Sequence, residues 1–259
     1  MSKVRTSIGI IGVTATGPAG GEPILFLHGV GSTKEVWRPQ LGHFGKDRVA
    51  LAIDYPGYGE SEFRADATRD DYARAAFAAI DALGVERAHI CGLSLGGVVA
   101  IAMHHLARKR CASLIIADSF AVHPDGPAIF DRSVAASQAM TMGELAEART
   151  GALIGQAASD ALRTEIIEDM ASIDPAAYRI GAEAVWLADQ RDRVAAIYCP
   201  TLILVGEEDG ITPPALSEEL ERLIPGSRLK RIADAGHLAN AEQPAAFNRA
   251  IESFLAELG

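Results

Sequence analysis

A chain of 259 residues can bury one substantial core, and 49% hydrophobic with 22% charged residues is the balance of a globular protein, not of a disordered or fibrous chain. A formal net charge of −10 argues against nucleic acid or an anionic membrane surface as partner, because both repel an acidic chain. No stretch approaches a transmembrane helix in length, and three cysteines with no Cys-x-x-Cys cannot all pair within the chain, so free thiols in a reducing cytoplasm are expected.

Strands and helices alternate from residue 8 onward. Lys3 and Arg5 ahead of Ile8–Val13 imitate an export signal only faintly, since the apolar run is too short for one. Ile8–Thr14, Pro23–His28 and Val49–Asp54 read as strands, and Asp70–Leu83 as an alanine-rich helix closed by Gly84. His89–Gly92 and Ser113–Ala117 are the next strands; the helix between them ends in Arg108-Lys109-Arg110, where cations suit the C-terminal dipole. From about residue 120 to 195 the alternation stops. Thr141-Met-Gly-Glu144 is a capping box, Asp174-Pro175 opens another helix, and Ile166, Ile167, Met170 and Ile173 recur at helical spacing as a packing stripe. Thr201–Val205 and Arg228–Ile232 resume the strands. Between them Thr212 reads as the N-cap of a helix over Pro213–Leu223. A last helix from Pro244 carries Phe247, Ile251, Phe254 and Leu255 on one face.

This order predicts an α/β fold: a mostly parallel sheet with helices on both faces. The core spans residues 1–119 and 196–259, and residues 120–195 form a helical cap, or lid, inserted between core strands. Such an insert lies over the C-terminal strand ends, where open α/β sheets bind ligands.

Gly92-Leu-Ser-Leu-Gly-Gly97 sits between an apolar strand and an apolar helix. A strand, a sharp glycine-flanked turn and a helix place the Ser94 hydroxyl at a helix N-terminus, as a nucleophile elbow does. Serine needs a base, and two later strand ends supply partners: Gly206-Glu-Glu-Asp209 and Asp234-Ala-Gly-His237. Ser94, Asp209 and His237 occur in the chain order Ser, acid, His. Glu207, Glu208 and Asp118 compete for the acid, and the strand–Gly-x-x-Asp spacing selects Asp209. An oxyanion hole needs two N–H donors. The Leu95 amide is one, and Val30 in His28-Gly-Val-Gly-Ser32 is the other, with His28 expected as a structural hydrogen-bonder. Adjacent His104-His105 diverge on a helix and have no partner at ligand spacing, so no metal site is expected. Asp54-Tyr-Pro-Gly-Tyr-Gly-Glu-Ser61 is a turn-rich loop that shapes the scaffold near the site.

With Val36-Trp-Arg-Pro-Gln40, Thr212-Pro-Pro214 and Gly236-His-Leu-Ala-Asn-Ala-Glu-Gln-Pro244, these residues resemble the α/β-hydrolase superfamily over nearly the whole chain outside the cap. Within it they are similar to 3-oxoadipate enol-lactonases and related carboxylesterases. The resemblance implies cofactor-free hydrolysis of a small-molecule ester or enol-lactone through an acyl-enzyme. Two other readings stand beside it. Carbon–carbon bond hydrolases of ring-cleavage products typically carry Trp after the catalytic His, where this chain has Leu238, and ligand-sensing relatives tend to replace the Gly96-Gly97 pair. A substrate carboxylate would call for a cap arginine in the pocket, with Arg132, Arg149, Arg163 and Arg179 as candidates.

Overall fold

The computed structural model describes residues 3–19 and 22–258. In chain order the core begins β1 (Lys3–Thr6), β2 (Gly9–Thr16), β3 (Ile24–Leu27), α1 (Arg38–Phe44), β4 (Ala50–Ile53), α2 (Arg69–Ala82), β5 (Ala88–Leu93), α3 (Leu95–Ala107) and β6 (Cys111–Ala117). An all-helical excursion follows: α4 (Gly126–Ala139), α5 (Met142–Leu153), α6 (Asp160–Ala171), α7 (Pro175–Trp186) and α8 (Arg191–Val194). The chain then returns through β7 (Thr201–Gly206), α9 (Pro214–Leu223), β8 (Arg228–Ile232), α10 (Ala239–Glu242) and α11 (Pro244–Ala256).

The sheet order is β1-β2-β4-β3-β5-β6-β7-β8. β1–β2 and β2–β4 pair antiparallel and all later neighbours pair parallel. Every residue of β3 to β7 is buried, as strands covered on both faces require. Their side chains alternate between two cores. Leu25, Leu27, Ile90 and Ile116 join α2 and α3 on one face, while Phe26, Cys91, Ile115 and Leu204 meet Trp37, Phe247 and Ile251 on the other. The edge strand β8 keeps Arg228, Lys230 and Arg231 exposed, a charged edge that resists pairing with another chain.

From β3 the chain moves outward to β4, then crosses back over β3 to β5. The direction of strand order therefore reverses at β3 and β5, and a crevice opens at their C-terminal ends. The loops leaving these two strands carry Val30 and Ser94.

Two local expectations need correction. The sheet contains a hairpin strand, β1, that the sequence does not announce: Val4 is its one buried residue, and Gly9 at φ 119 makes the turn. Thr212 does not cap α9; that helix starts at Pro214 with Pro213 at the cap, and Thr212 faces Asp209 instead. The capping box at Thr141–Glu144 and the Asp174 cap form as expected, with Asp174 Oδ1 accepting from the Ala176 amide at 2.7 Å.

Candidate active site

Ser94 sits between β5 and α3 at φ 55, ψ −114, a conformation that costs a non-glycine residue about 1–3 kcal/mol. Its neighbours make that turn possible. A Cβ on Gly92 would lie 2.0 Å from the Gly96 carbonyl oxygen, and one on Gly96 would lie 2.0 Å from the Leu27 carbonyl oxygen. The elbow is thus pressed against the end of β3, where no larger residue fits. It is also pinned to the next strand: the Ser94 amide donates to Ala117 O and Ser119 Oγ donates to Ser94 O, both at 2.9 Å. The Ser94 side chain makes no capping bond and stays with the pocket.

Asp209 leaves the end of β7 and His237 the end of β8. His237 Nδ1 donates to Asp209 Oδ2 at 2.9 Å, in a setting where both side chains are buried. Asp209 Oδ1 accepts the Ile211 and Thr212 amides at 2.8 and 2.9 Å, and Thr212 Oγ1 donates to Oδ2 at 2.6 Å. Burial pushes the Asp209 carboxyl up, but His237 and the Thr212 donors outweigh it and hold the group below the usual carboxylate range. Of the competing acids, Glu207 and Glu208 are exposed. Asp118 is buried and accepts from the Gly206 amide at 2.8 Å. Asp209 is the carboxylate on the imidazole.

The loop after β3 brings Val30 to the pocket that Ser94 and His237 line. His28 does more there than hold structure. Its Nδ1 bonds Gly29 O at 2.7 Å and its Nε2 accepts the Tyr55 amide at 3.3 Å, which fixes the neutral Nδ1–H tautomer. Gly29 C=O and Val30 N–H belong to one rigid peptide unit, so anchoring the oxygen aims the Val30 amide the opposite way. Among the described residues the Val30 amide donates to no backbone carbonyl. The Leu95 amide, first in α3, has no intrahelical acceptor. Behind the loop, buried Asp54 binds the Lys34 amide and Nζ, each at 2.8 Å, and ties the loop to the 54–61 turn.

Burial lowers His28 from 6.5 to about 4, so in that window the unfolded chain binds a proton that the folded chain refuses. Stability is accordingly lost as pH falls from 6.5 to 4, with His28 contributing on the order of 3 kcal/mol. Urea midpoints measured across this window decrease toward acid, and His28→Asn flattens the slope.

Glu242 escaped the sequence reading, although it lies in the Gly236–Pro244 segment. Its carboxylate accepts the Gly236 amide at 3.0 Å, the Leu238 amide at 3.2 Å and the Gly155 amide at 2.6 Å. It therefore grips the chain on both sides of His237 and fastens the end of α5 to it. The signal was its place five residues after His237, just before Pro244. Glu242→Gln turns an NH2 toward one of these donors. We expect kcat on an ester to fall about tenfold and stability by about 1–3 kcal/mol, read from turnover and a denaturant midpoint.

The pocket encloses about 30 Å³, room for one or two waters. Its floor is Ser94, His237 and Val30; its roof is Arg149, Met170 and Trp186 from the helical excursion. Asp169 on α6 holds that roof to the loop after β3, accepting from Thr33 N at 2.9 Å and Thr33 Oγ1 at 2.6 Å. Of the four candidate arginines, Arg149 lines the pocket; Arg132, Arg163 and Arg179 do not. Arg149 donates to the Tyr178 hydroxyl with its guanidinium 5.9 Å from that ring's centroid. Among the described residues no helix is long and apolar enough to cross a membrane.

The chain is similar to known proteins over nearly its whole length. The chain is 27% identical over 247 residues to 3-oxoadipate enol-lactonase 1 of Acinetobacter baylyi, covering 95% of this chain and 92% of that one. It is 29% identical over 245 residues to the pimeloyl-[acyl-carrier protein] methyl ester esterase of Neisseria meningitidis, covering 90% of this chain and 94% of the relative. A thermophilic esterase from Thermogutta terrifontis superposes with a TM-score of 0.90 at 29% identity, over 99% of this chain and 98% of the other. Residues 24–250 match the alpha/beta hydrolase family, a span running from β3 into α11 and taking in the elbow, the acid loop and the histidine loop. The strand order, the strained serine turn and this match lead to one conclusion: the chain belongs to the alpha/beta hydrolase family.

Proposed function

We propose that the chain is a cofactor-free serine hydrolase that cleaves a small carboxylic ester or lactone whose acyl part carries a second carboxylate. The observation that carries this reading is the His237–Asp209 hydrogen bond at 2.9 Å beside a serine held at φ 55 in the same pocket. His237 Nε2 takes the Ser94 proton as Oγ attacks the acyl carbon, and Asp209 holds the imidazole in the needed tautomer and stabilises it when charged. The Val30 and Leu95 amides receive the negative charge that develops on the carbonyl oxygen, each donor worth about 3–4 kcal/mol in the transition state. His237 then returns the proton to the leaving oxygen as the C–O bond breaks, leaving an acyl-Ser94 ester. A water deprotonated by His237 attacks that ester and releases the acid. For a lactone the leaving oxygen stays tethered and a single hydroxy or oxo acid departs.

Residues 120–195 act in this reading as a cap over a core of 1–119 and 196–259. A cavity of about 30 Å³ cannot hold even a small ester beside Ser94, so the cap shifts to admit substrate. Arg149 supplies the carboxylate preference: it is the arginine in the pocket roof, and its recorded side-chain hydrogen bond goes to a phenol. The test is hydrolysis of a short-chain nitrophenyl ester. Turnover that disappears in Ser94→Ala supports the reading; binding without turnover on any acyl substrate replaces it with ligand sensing.

A further inference from the structure

Asp118 is a buried acid that this mechanism leaves without a task. It follows β6 at φ 47, with its amide donating to Leu204 O at 2.9 Å, so it stands at the C-terminal end of the sheet between the elbow and the acid loop. A non-glycine residue at positive φ is costly, and a fully buried carboxyl is costlier unless every oxygen is satisfied. Oδ1 is satisfied by the Gly206 amide at 2.8 Å. Oδ2 is buried with no hydrogen-bond partner among the described residues, and the Asp209 carboxyl is near enough to help push the Asp118 carboxyl up. Two carboxylate oxygens cannot bond without a proton between them. Asp209 cannot be its carrier, because it accepts from two amides, a hydroxyl and His237.

We propose that Asp118 is kept as the neutral acid and donates from Oδ2 to the Asp209 carboxylate, acting as a positioning residue for the Asp209–His237 pair. The proposal rests on the serine-hydrolase reading for its consequence, though not for its geometry. Burial first, and the Asp209 charge second, push the Asp118 carboxyl well above the usual range against the opposing pull of the Gly206 amide. The other titratable groups facing the pair are Glu242 from α10, which adds to that push, His237 from the loop after β8, and His123 from the loop after β6. His123 is held neutral by burial, with Nε2 on Ile211 O and Nδ1 accepting the Asp125 amide, so it adds no compensating cation. The neutral acid thus gives Asp209 one more donor and no additional negative charge. It limits how strongly Asp209 attracts the imidazolium.

The sign of a pH shift separates this from a second ionised carboxylate. Asp118→Asn keeps a donor toward Asp209, an acceptor for Gly206 and zero charge. Its kcat/KM profile should keep its acid limb within about half a pH unit of wild type. Asp118→Leu removes the donor, so the limb moves toward higher pH and kcat falls several-fold with KM little changed. An ionised Asp118 would behave otherwise: both variants would delete a negative charge and move the limb about one unit toward lower pH, overturning the proposal. Infrared spectra of the resting protein give a readout that needs no turnover. A buried protonated-carboxyl band present in wild type and missing from Asp118→Asn supports the neutral acid, and its absence from wild type overturns it. Because that band is seen without substrate, failure of the proposal is distinguishable from failure of the hydrolase reading, which Ser94→Ala tests.

Discussion

Ser94→Ala lowers kcat on a short-chain nitrophenyl ester by about 10⁶, and His237→Ala does so within about tenfold of that value. The two losses are similar because the groups act as one unit: without the base the hydroxyl is a poor nucleophile, and without the hydroxyl the base has no proton to take. The double variant is therefore scarcely worse than either single one. Asp209→Asn costs about 10⁴, since an amide presents an N–H where the imidazole Nδ1–H needs an acceptor at 2.9 Å. What remains in all three comes from the Val30 and Leu95 amides and from binding. Steady-state rates together with the burst of nitrophenol on mixing measure the set. A His237→Ala variant keeping turnover within tenfold of wild type would falsify the base assignment.

Ser94 and Asp209 were legible because each follows a buried strand within three residues, and a continuous apolar run with glycine at its end is the clearest signal a sequence offers. His237 follows the charged edge strand β8 and was legible from the Asp234-Ala-Gly-His237 segment and its place in the chain order. The parallel order of β3 to β7 followed from the same alternation. Legibility failed where local chemistry has two meanings. Thr212 before Pro213-Pro214 reads as a helix cap, yet its hydroxyl is claimed by Asp209 once the chain turns back toward the pocket. Asp118 directly follows β6 and Asp209 lies three residues past β7, and only the pairing of β6 with β7 brings those two strand ends together. β1 has one buried residue in four, too little periodicity to announce a strand. Glu242 and His28 act through backbone amides and carbonyls, which sequence does not display. Arg149 was one of four arginines, but it carried a signal: it lies four residues from buried Leu145 and four from buried Leu153, on the inward stripe of α5.

That position gives Arg149→Met a selective effect. On the monoester of a small dicarboxylic acid, kcat/KM falls about 100-fold, the value of a charge-assisted bidentate contact in a water-poor site. On a neutral ester of the same length it stays within about threefold, since Met keeps the apolar bulk of the stem. The loss sits in KM more than kcat, because the remote carboxylate is gripped equally in the ground and transition states. Arg149→Lys recovers part of it, a point charge replacing a planar fork. The net charge of −10 sharpens the expectation: the whole chain repels an anion at long range, so acceptance of an acidic substrate has to come from a cation at the site. Tyr178 gives that cation a hydroxyl partner, and among the described residues no carboxylate pairs with it, which keeps the guanidinium placed but available. Equal losses on acidic and neutral esters would make Arg149 a packing residue of the roof and return the substrate to a neutral ester; loss confined to the acidic one ties substrate choice to a single side chain of α5.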